Sequence, residues 1–177
     1  GGGIGKMLTK KKGGDIVGAI DIGDKIGKSL YDVVPGIVTG DREDVIVGTP
    51  EEVIKPGAAD IVVVCTNSFT KDVFDKLVFV MERGMNVITS AEEMAYPQAQ
   101  EPELAKKLDE IAKKNGVSVM GTGINPGLIM DLLVVLWTAA CEEVNHVTSR
   151  RVNSLSPFGP AKIGRRRVGK ECRSRWS

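Results

Sequence analysis

The sequence predicts an α/β fold, in which a parallel, doubly wound β-sheet carries helices on both faces. Short, unalternated apolar runs rich in β-branched residues are typical of strands buried on both faces. Segments whose apolar residues recur at helical spacing lie between these runs. This alternation indicates right-handed βαβ units. The 177 residues, 42% of them hydrophobic and 27% charged, suit one domain or one domain and the start of a second.

Four apolar runs are the expected strands, and a weaker run is a possible fifth. The four are residues 15–20, 60–65, 86–89 and 117–120, and the weaker run is 45–47. The expected helices cover 4–12, 73–81 with Thr70 as a possible cap, 104–111 continuing to Asn115-Gly116, and 127–141. The last of these is apolar nearly all round, so we expect it to be buried between layers or domains.

The first residues follow the order of a dinucleotide-binding Rossmann unit, which has a strand, a glycine-rich turn, a helix, a second strand and then an acid. We expect Gly1, Gly2 and Gly3 to end the phosphate-binding turn, with the pyrophosphate at the helix N-terminus. Asp21, after the run 15–20, would bind the adenosine ribose hydroxyls. No strand precedes Gly1, so the expected sheet lacks its first strand. A flexible glycine tail and a turn-forming acid are the alternatives.

Polar residues follow three of the other expected strands. Ligands of open α/β sheets bind outside the carboxyl ends of the strands, so these residues are candidates for a shared site. They are Thr66, Asn67 and Ser68 after the second run, Ser90, Glu92 and Glu93 after the third, and Asn125 after the fourth. Each also has a structural interpretation, as a helix cap, a first-turn acid or a residue in a turn before proline.

Several segments of the sequence resemble the 2,4-diaminopentanoate dehydrogenases, in the amine-dehydrogenase branch of the dihydrodipicolinate-reductase-like superfamily. The resemblance covers residues 1 to about 160. The segments are Gly-Gly-Gly-Ile-Gly-Lys-Met-Leu at 1–8, Asp-Ile-Val-Gly-Ala-Ile-Asp at 15–21, Val-Ile-Thr-Ser-Ala-Glu-Glu-Met-Ala-Tyr-Pro at 87–97, Gly-Thr-Gly-Ile-Asn-Pro-Gly at 121–127, and Ser-Arg-Arg-Val-Asn-Ser-Leu-Ser-Pro-Phe-Gly at 149–159.

The resemblance implies NAD(P)-dependent oxidative deamination of 2,4-diaminopentanoate, a step of amino-acid (ornithine) catabolism. Hydride loss to nicotinamide would convert the C4 amine to an imine, and water would then release ammonia and 2-amino-4-oxopentanoate. A carboxylate beside the amine is needed, and we favour Glu92, with Glu93 second. Thr66 and Ser68 would line the nicotinamide ribose, while Asn125 would bind substrate or the nicotinamide amide.

Asp21 favours NAD over NADP, because a carboxylate repels a 2′-phosphate. Lys25, four residues further on, softens that preference, so both cofactors stay open. Two other functions also stay open. One is a dihydrodipicolinate-reductase-like oxidoreductase, although the paired histidines of that enzyme are not found and His146 stands alone. The other is a nucleotide-binding module without catalysis.

We expect three regions: a dinucleotide-binding domain over 1–142, the start of a truncated α+β substrate and oligomerisation domain over 143–160, and a basic tail over 161–177 that is unlike the family. A loosely alternating strand is expected over 143–154. The tail carries seven basic residues and one acid, a net charge of +6, whereas the remaining residues sum to −5. Binding of nucleic acid by Arg165–Arg167 is a competing idea, but Trp176 is the one aromatic residue near it.

The composition excludes several other classes. The three cysteines are far apart, so neither a zinc site nor a disulfide scaffold is expected, and a reducing cytoplasm is the expected compartment. The longest apolar run, 132–141, is about half of a membrane span, and no signal peptide pattern opens the chain. The expected partners are a small amino-acid substrate and, in the intact enzyme, further copies of the chain.

Overall fold

The computed structural model describes residues 2–37, 43–150 and 152. The chain divides into two compact units, Gly1–Cys141 and Glu142–Ser177. In the second unit, residues 143–150 and 152 form no strand, so the strand expected over 143–154 is not observed there. Alternating apolar residues stabilise a strand only when a neighbouring strand pairs with it. Residues 151, 153 and 154 of the expected strand lie outside the described residues. The same is true of Gly1 and of the basic tail 161–177.

The described residues of the first unit form five short parallel strands in two sheets. Strands β1 (Ala19–Ile20) and β2 (Val47–Gly48) form one sheet, and β3 (Ile61–Val64), β4 (Asn86–Thr89) and β5 (Val119–Gly121) form the other, in that order. The expected α/β class is confirmed. In the Rossmann strand order 3-2-1-4-5-6, removal of the first strand leaves a pair and a group of three, which is the pairing observed.

The strands differ in length from the expected runs. Only the last two residues of the run 15–20 form β1, and β2 is displaced to Val47–Gly48 from the expected 45–47. Strands β3 and β4 match their predicted positions closely. The longer strands are those in the three-stranded sheet, where β4 is paired on both edges.

Within residues 2–37 and 43–150, six helices accompany the strands: α1 (Gly2–Leu8), α2 (Leu30–Val33), α3 (Pro50–Val53), α4 (Thr70–Met81), α5 (Pro102–Asn115) and α6 (Leu133–Thr138). Two 3₁₀ turns, Glu92–Ala95 and Pro97–Ala99, follow β4. A wide helical segment, Ile124–Leu132, leads into α6 and contains non-helical backbone at residues 125–127. Helix α5 ends at Asn115, and the next residue, Gly116, has a left-handed φ of 66°, as the Asn-Gly pair predicts.

The main core lies between the three-stranded sheet and helices α4 and α5. The apolar face expected for α4 is the buried face, and Val73, Leu77, Val80 and Met81 are at most 1% exposed. Val87 of β4 and Leu108 of α5 complete the centre. Burial of such a side chain contributes about 1.5–3 kcal/mol. This packing fixes the carboxyl ends of β3, β4 and β5 relative to α4.

Strand β3 is an edge of its sheet and is unusually exposed for an apolar strand. The Asp60 and Val64 carbonyls accept hydrogen bonds from β4 and the residue after it, so alternate residues of β3 face β4. The backbone groups of Ile61 and Val63 therefore face the opposite edge. Their side chains are 46% and 39% exposed.

Two helix predictions are corrected. The first helix covers Gly2–Leu8 rather than 4–12, and a turn and Gly13, with φ of 90°, follow it. The helix expected over 127–141 ends at Thr138, and none of its residues is buried. Side chains that are apolar on every face need neighbours on every face, and the described elements cover part of this segment only. Its most exposed residues are Leu132, Val135, Leu136 and Trp137. In the described part of the chain, no helix is long and apolar enough to cross a membrane.

Candidate functional site

Three loops at the carboxyl ends of β3, β4 and β5 meet to form the candidate site. Residues 65–69 follow β3, residues 90–95 follow β4, and residues 122–127 follow β5. Parallel strands end at the same edge of a sheet, and the register of β3, β4 and β5 places their ends side by side. The predicted site residues Thr66, Asn67, Ser68, Ser90, Glu92, Glu93 and Asn125 all lie on these loops.

Glu93 joins the loop after β4 to the loop after β3. Its backbone N–H donates to the Ser68 carbonyl at 3.1 Å, and its side-chain Oε2 accepts a hydrogen bond from the Thr70 backbone N–H at 2.9 Å. Phe69 precedes α4 and provides no side-chain cap, and Thr70 is the first helical residue rather than the cap expected from the sequence. The Glu93 carboxylate thus caps α4 from another loop, where the helix dipole also favours a negative charge.

Lys76 of α4 organises the loop after β3. Its Nζ donates to the Thr66 hydroxyl at 2.9 Å and to the Asn67 side-chain oxygen at 2.5 Å. Lys76 is not evident from the sequence as a site residue, because charged residues on an exposed helix face are common. The sequence feature that could have indicated Lys76 is its position in the second turn of α4, the helix that directly follows the loop after β3.

The loop after β4 is anchored through its first residues. Thr89 is buried, and its hydroxyl accepts a hydrogen bond from the Ala91 N–H at 3.2 Å. The Ser90 N–H donates to the Val64 carbonyl at 3.1 Å, which continues the pairing of β3 and β4. Glu92 follows buried Ala91 and is half-buried. Hydrogen bonds at the residues before and after Glu92, from the Ala91 and Glu93 N–H groups, therefore hold its backbone in place.

The loop after β5 packs closely on the 3₁₀ turn Glu92–Ala95. A Cβ atom at Gly121 would overlap the backbone of Met94, so this approach requires glycine. The Thr122 N–H donates to the Thr89 carbonyl at 2.9 Å. Asn125 lies beyond these contacts and is exposed, in extended backbone before a cis peptide bond to Pro126.

Asp21 lies at the end of β1, in the two-stranded sheet, and not on the three joined loops. Its Oδ2 accepts a hydrogen bond from Lys25 Nζ at 2.7 Å, and its Oδ1 accepts one from the Ile22 N–H at 2.8 Å. The hydrogen bond from Lys25 lowers the pKa of Asp21, and that from Ile22 adds to the effect. Gly2 and Gly3 form the first turn of α1.

The joined loops offer hydroxyl and amide groups together with small residues. Such groups match the hydroxyls of a ribose and the carboxamide of a nicotinamide in their hydrogen-bonding capacity. In the described part of the chain, no group of three His, Cys, Asp or Glu side chains could hold a metal ion. The hydroxyl and amide groups of the joined loops therefore fit the polar groups of a dinucleotide.

Comparison with known proteins agrees with the fold and with the resemblance. The chain is 61% identical over 169 residues to 2,4-diaminopentanoate dehydrogenase of Acetoanaerobium sticklandii, an alignment that covers 96% of the chain and 48% of that enzyme. The chain is a close relative of 2,4-diaminopentanoate dehydrogenase. The expected resemblance is thereby confirmed, and the chain spans about half the length of this relative.

Two further comparisons concern parts of the chain. The family of the 2,4-diaminopentanoate dehydrogenase C-terminal domain matches residues 128–174, a range that begins in the wide helical segment and includes most of the basic tail that the sequence analysis set apart. The structure of an amine dehydrogenase from Mycobacterium smegmatis superposes with a TM-score of 0.63 at 32% identity. It matches 73% of this chain and 38% of the amine dehydrogenase.

Proposed function

We propose that this chain belongs to an NAD(P)-dependent dehydrogenase that oxidatively deaminates 2,4-diaminopentanoate to 2-amino-4-oxopentanoate and ammonia. The observation that carries the proposal is the 61% identity to 2,4-diaminopentanoate dehydrogenase along 96% of the chain. Identity at this level favours the same substrate class as well as the same fold. The three joined loops supply the groups that such a reaction needs.

The cofactor is NAD or NADP, and when bound it supplies the hydride acceptor. Thr66, Asn67, Ser68 and Ser90 bind the nicotinamide half in this proposal, and Asn125 binds the carboxamide or the substrate. Gly1, Gly2, Gly3 and Asp21 bind the pyrophosphate and the adenosine ribose. Asp21 favours NAD, and its ion pair with Lys25 reduces the charge that opposes a 2′-phosphate.

Glu92 is the carboxylate that we assign to the reacting amine. Glu93 is the less suitable of the two glutamates, because its carboxylate already accepts the hydrogen bond that caps α4. Glu92 is half-buried and lies next to Glu93 in the same 3₁₀ turn. In this role the Glu92 carboxylate binds the substrate ammonium, accepts its proton and passes it to solvent. As a carboxylate again, it then takes a proton from the water that attacks the imine.

The test is the reduction of NAD⁺ or NADP⁺ by the protein in the presence of 2,4-diaminopentanoate, measured by absorbance. Glu92→Gln keeps the size of the side chain and removes the base, so turnover should fall by about 10²–10⁴-fold. Glu93→Gln is the matched control, and its turnover should stay within about tenfold of the wild type, since an amide oxygen still caps the helix. Unchanged turnover in Glu92→Gln would overturn the assignment of Glu92.

Two alternatives from the sequence predict different results in the same experiment. A nucleotide-binding module would bind NADH in a titration and show no substrate-dependent reduction of NAD⁺. A dihydrodipicolinate-reductase-like enzyme would oxidise NADPH with a cyclic imine substrate. Reduction of NAD⁺ by 2,4-diaminopentanoate would exclude the first and disfavour the second.

We also propose that the protein acts in the cytoplasm as a homo-oligomer. Cys65 and Cys141 are free thiols in the structure, which suits a reducing compartment. The oligomer rests on the resemblance to a family whose second domain mediates assembly. Light scattering of the purified protein tests the oligomer directly.

A further inference from the structure

The structure assigns to Lys76 the role of a positioning residue that turns Thr66 and Asn67 into hydrogen-bond donors for the bound dinucleotide. This inference rests on the proposed function, because the ligand that it names is the cofactor of that reaction. Lys76 reaches the loop from α4, nine and ten residues away in the chain from its two partners. The bonds are therefore tertiary contacts and not a local feature of the helix.

The two acceptors of Lys76 are neutral. An exposed lysine usually pairs with a carboxylate, as Lys25 and Lys113 do in this chain. Lys76 instead donates to a hydroxyl oxygen and an amide oxygen, both on the loop after β3. Two of the three N–H groups of the ammonium thus hold adjacent residues of one loop, and its charge is not neutralised by either partner.

These two bonds decide what the loop offers to a ligand. A threonine hydroxyl that accepts from an ammonium directs its own proton elsewhere, so Thr66 is left as a donor. When the Asn67 oxygen faces Lys76, its NH₂ group points away and is likewise a donor. The positive charge of Lys76 polarises both groups and strengthens the bonds they donate. The loop therefore recognises acceptor oxygens, and those of a ribose or a phosphate suit it.

Lys76 is placed to act on this loop without forming part of the core. It is exposed, whereas its neighbours on α4, Val73, Leu77 and Val80, are buried on the opposite side. The other side of the same site is held by Glu93, which accepts from Thr70 and donates to Ser68. Lys76 fixes the first half of the loop and Glu93 fixes the second half.

The experiment measures the dissociation constant of NADH by fluorescence titration and the hydrogen exchange of the amides of residues 65–69. The variants are Lys76→Met, which keeps the aliphatic stem and favours the helix, and Lys76→Arg, which keeps the charge and the donors. Lys71→Met is the matched control, because Lys71 is an exposed lysine in the first turn of the same helix. The double variant of Lys76→Met with Thr66→Val tests whether Lys76 acts through Thr66.

We expect Lys76→Met to weaken NADH binding about tenfold and to speed exchange at residues 65–69. Lys76→Arg should restore most of both properties, and Lys71→Met should change neither. The KM for the dinucleotide should rise while kcat changes by less than about twofold, since Lys76 does not touch the reacting atoms. In the Lys76→Met background, Thr66→Val should weaken NADH binding by a smaller factor than it does in the wild-type protein.

Two results would overturn the role of Lys76. The first is wild-type NADH affinity in Lys76→Met. The second is exchange at residues 65–69 that does not change when Lys76 is replaced. Failure of the proposed function has a different signature, because the wild-type protein would then bind neither NADH nor NADPH. The exchange measurement still tests the contact of Lys76 with the loop in that case, since it needs no dinucleotide.

Discussion

Glu93 and Thr70 are 23 residues apart in the chain, and the Glu93 carboxylate accepts a 2.9 Å hydrogen bond from the Thr70 backbone N–H. This bond ties the loop after β4 to the start of α4. It also gives the two adjacent glutamates different surroundings. Because the Glu93 carboxylate already caps a helix, Glu93 is the weaker candidate for chemistry.

Replacing Glu93 by alanine should lower the free energy of unfolding by about 1 kcal/mol, because α4 loses its cap and a favourable charge at its N-terminus. Urea unfolding followed by circular dichroism measures this loss. Glu103→Ala is the control, since Glu103 is an exposed acid in the first turn of α5 that caps nothing in the structure. Equal destabilisation by the two variants would contradict the capping role of Glu93.

Gly121→Ala should be strongly destabilising. A Cβ atom at this position overlaps the backbone of Met94, and backbone cannot yield as a flexible side chain can. We expect a loss of about 2 kcal/mol or more, seen as a lower thermal unfolding midpoint. Gly14→Ala is the comparison, because a Cβ atom there meets open space and the backbone has no positive φ. A normal midpoint for Gly121→Ala would show that the two loops are not in contact.

Lys25→Met should raise the pKa of Asp21 towards its ordinary value. The hydrogen bond from Lys25 is the main cause of the lowered pKa, and the bond from the Ile22 N–H would remain. Since the folded-state pKa is lowered, the ion pair stabilises the protein above the unfolded pKa of Asp21, and this stabilisation is lost as the pH falls through the folded-state pKa. Titration of the Asp21 side-chain carboxyl carbon by NMR measures the shift, and an unchanged pKa in Lys25→Met would exclude Lys25 as its cause.

The same ion pair should govern cofactor preference. Lys25→Met leaves the Asp21 carboxylate without its cation, so the affinity for NADPH relative to NADH should fall by several-fold. Asp21→Asn removes the repulsion of a 2′-phosphate, and this ratio should rise. Parallel fluorescence titrations with the two reduced cofactors give the ratio. If neither variant moves it, Asp21 does not contact the adenosine ribose.

The elements that the sequence predicted well are those whose burial is decided locally. The spacing of Val73, Leu77, Val80 and Met81 predicts one apolar face, and the structure buries that face. The same holds for α5, whose end is determined by Gly116. Strands β3 and β4 also appear where their apolar runs lie. In each case the pattern of residues within a single helix or strand was sufficient to predict that element.

The predictions that failed depend on distant parts of the molecule. The helix expected over 127–141 has the composition of a buried helix, but burial requires neighbours from distant parts of the chain, and none of its residues is buried. The run 15–20 is apolar, yet only its last two residues pair with β2. A strand extends only as far as its neighbour pairs with it, and the composition of one strand does not indicate the length of the neighbouring strand.

The sequence predicted which loops lie together, but it did not predict the hydrogen bonds between them. The rule that ligands bind at the carboxyl ends of parallel strands predicted these three loops as a shared site, and the structure brings the loops together. It could not select Lys76, nor divide the roles of Glu92 and Glu93, because those depend on bonds between residues far apart in sequence. Hydrogen bonds across the tertiary structure leave no periodic signal in a sequence.

The exposed edge of β3 has a practical consequence for handling the chain. Ile61 and Val63 offer β-branched side chains on a strand edge with which no other described strand pairs, without a charge or a proline between them. Proteins usually protect such an edge, since it templates the addition of further strands from other molecules. Concentrated solutions of the chain will therefore tend to precipitate, and a lysine in place of Val63 would be the first substitution to try for improving its yield.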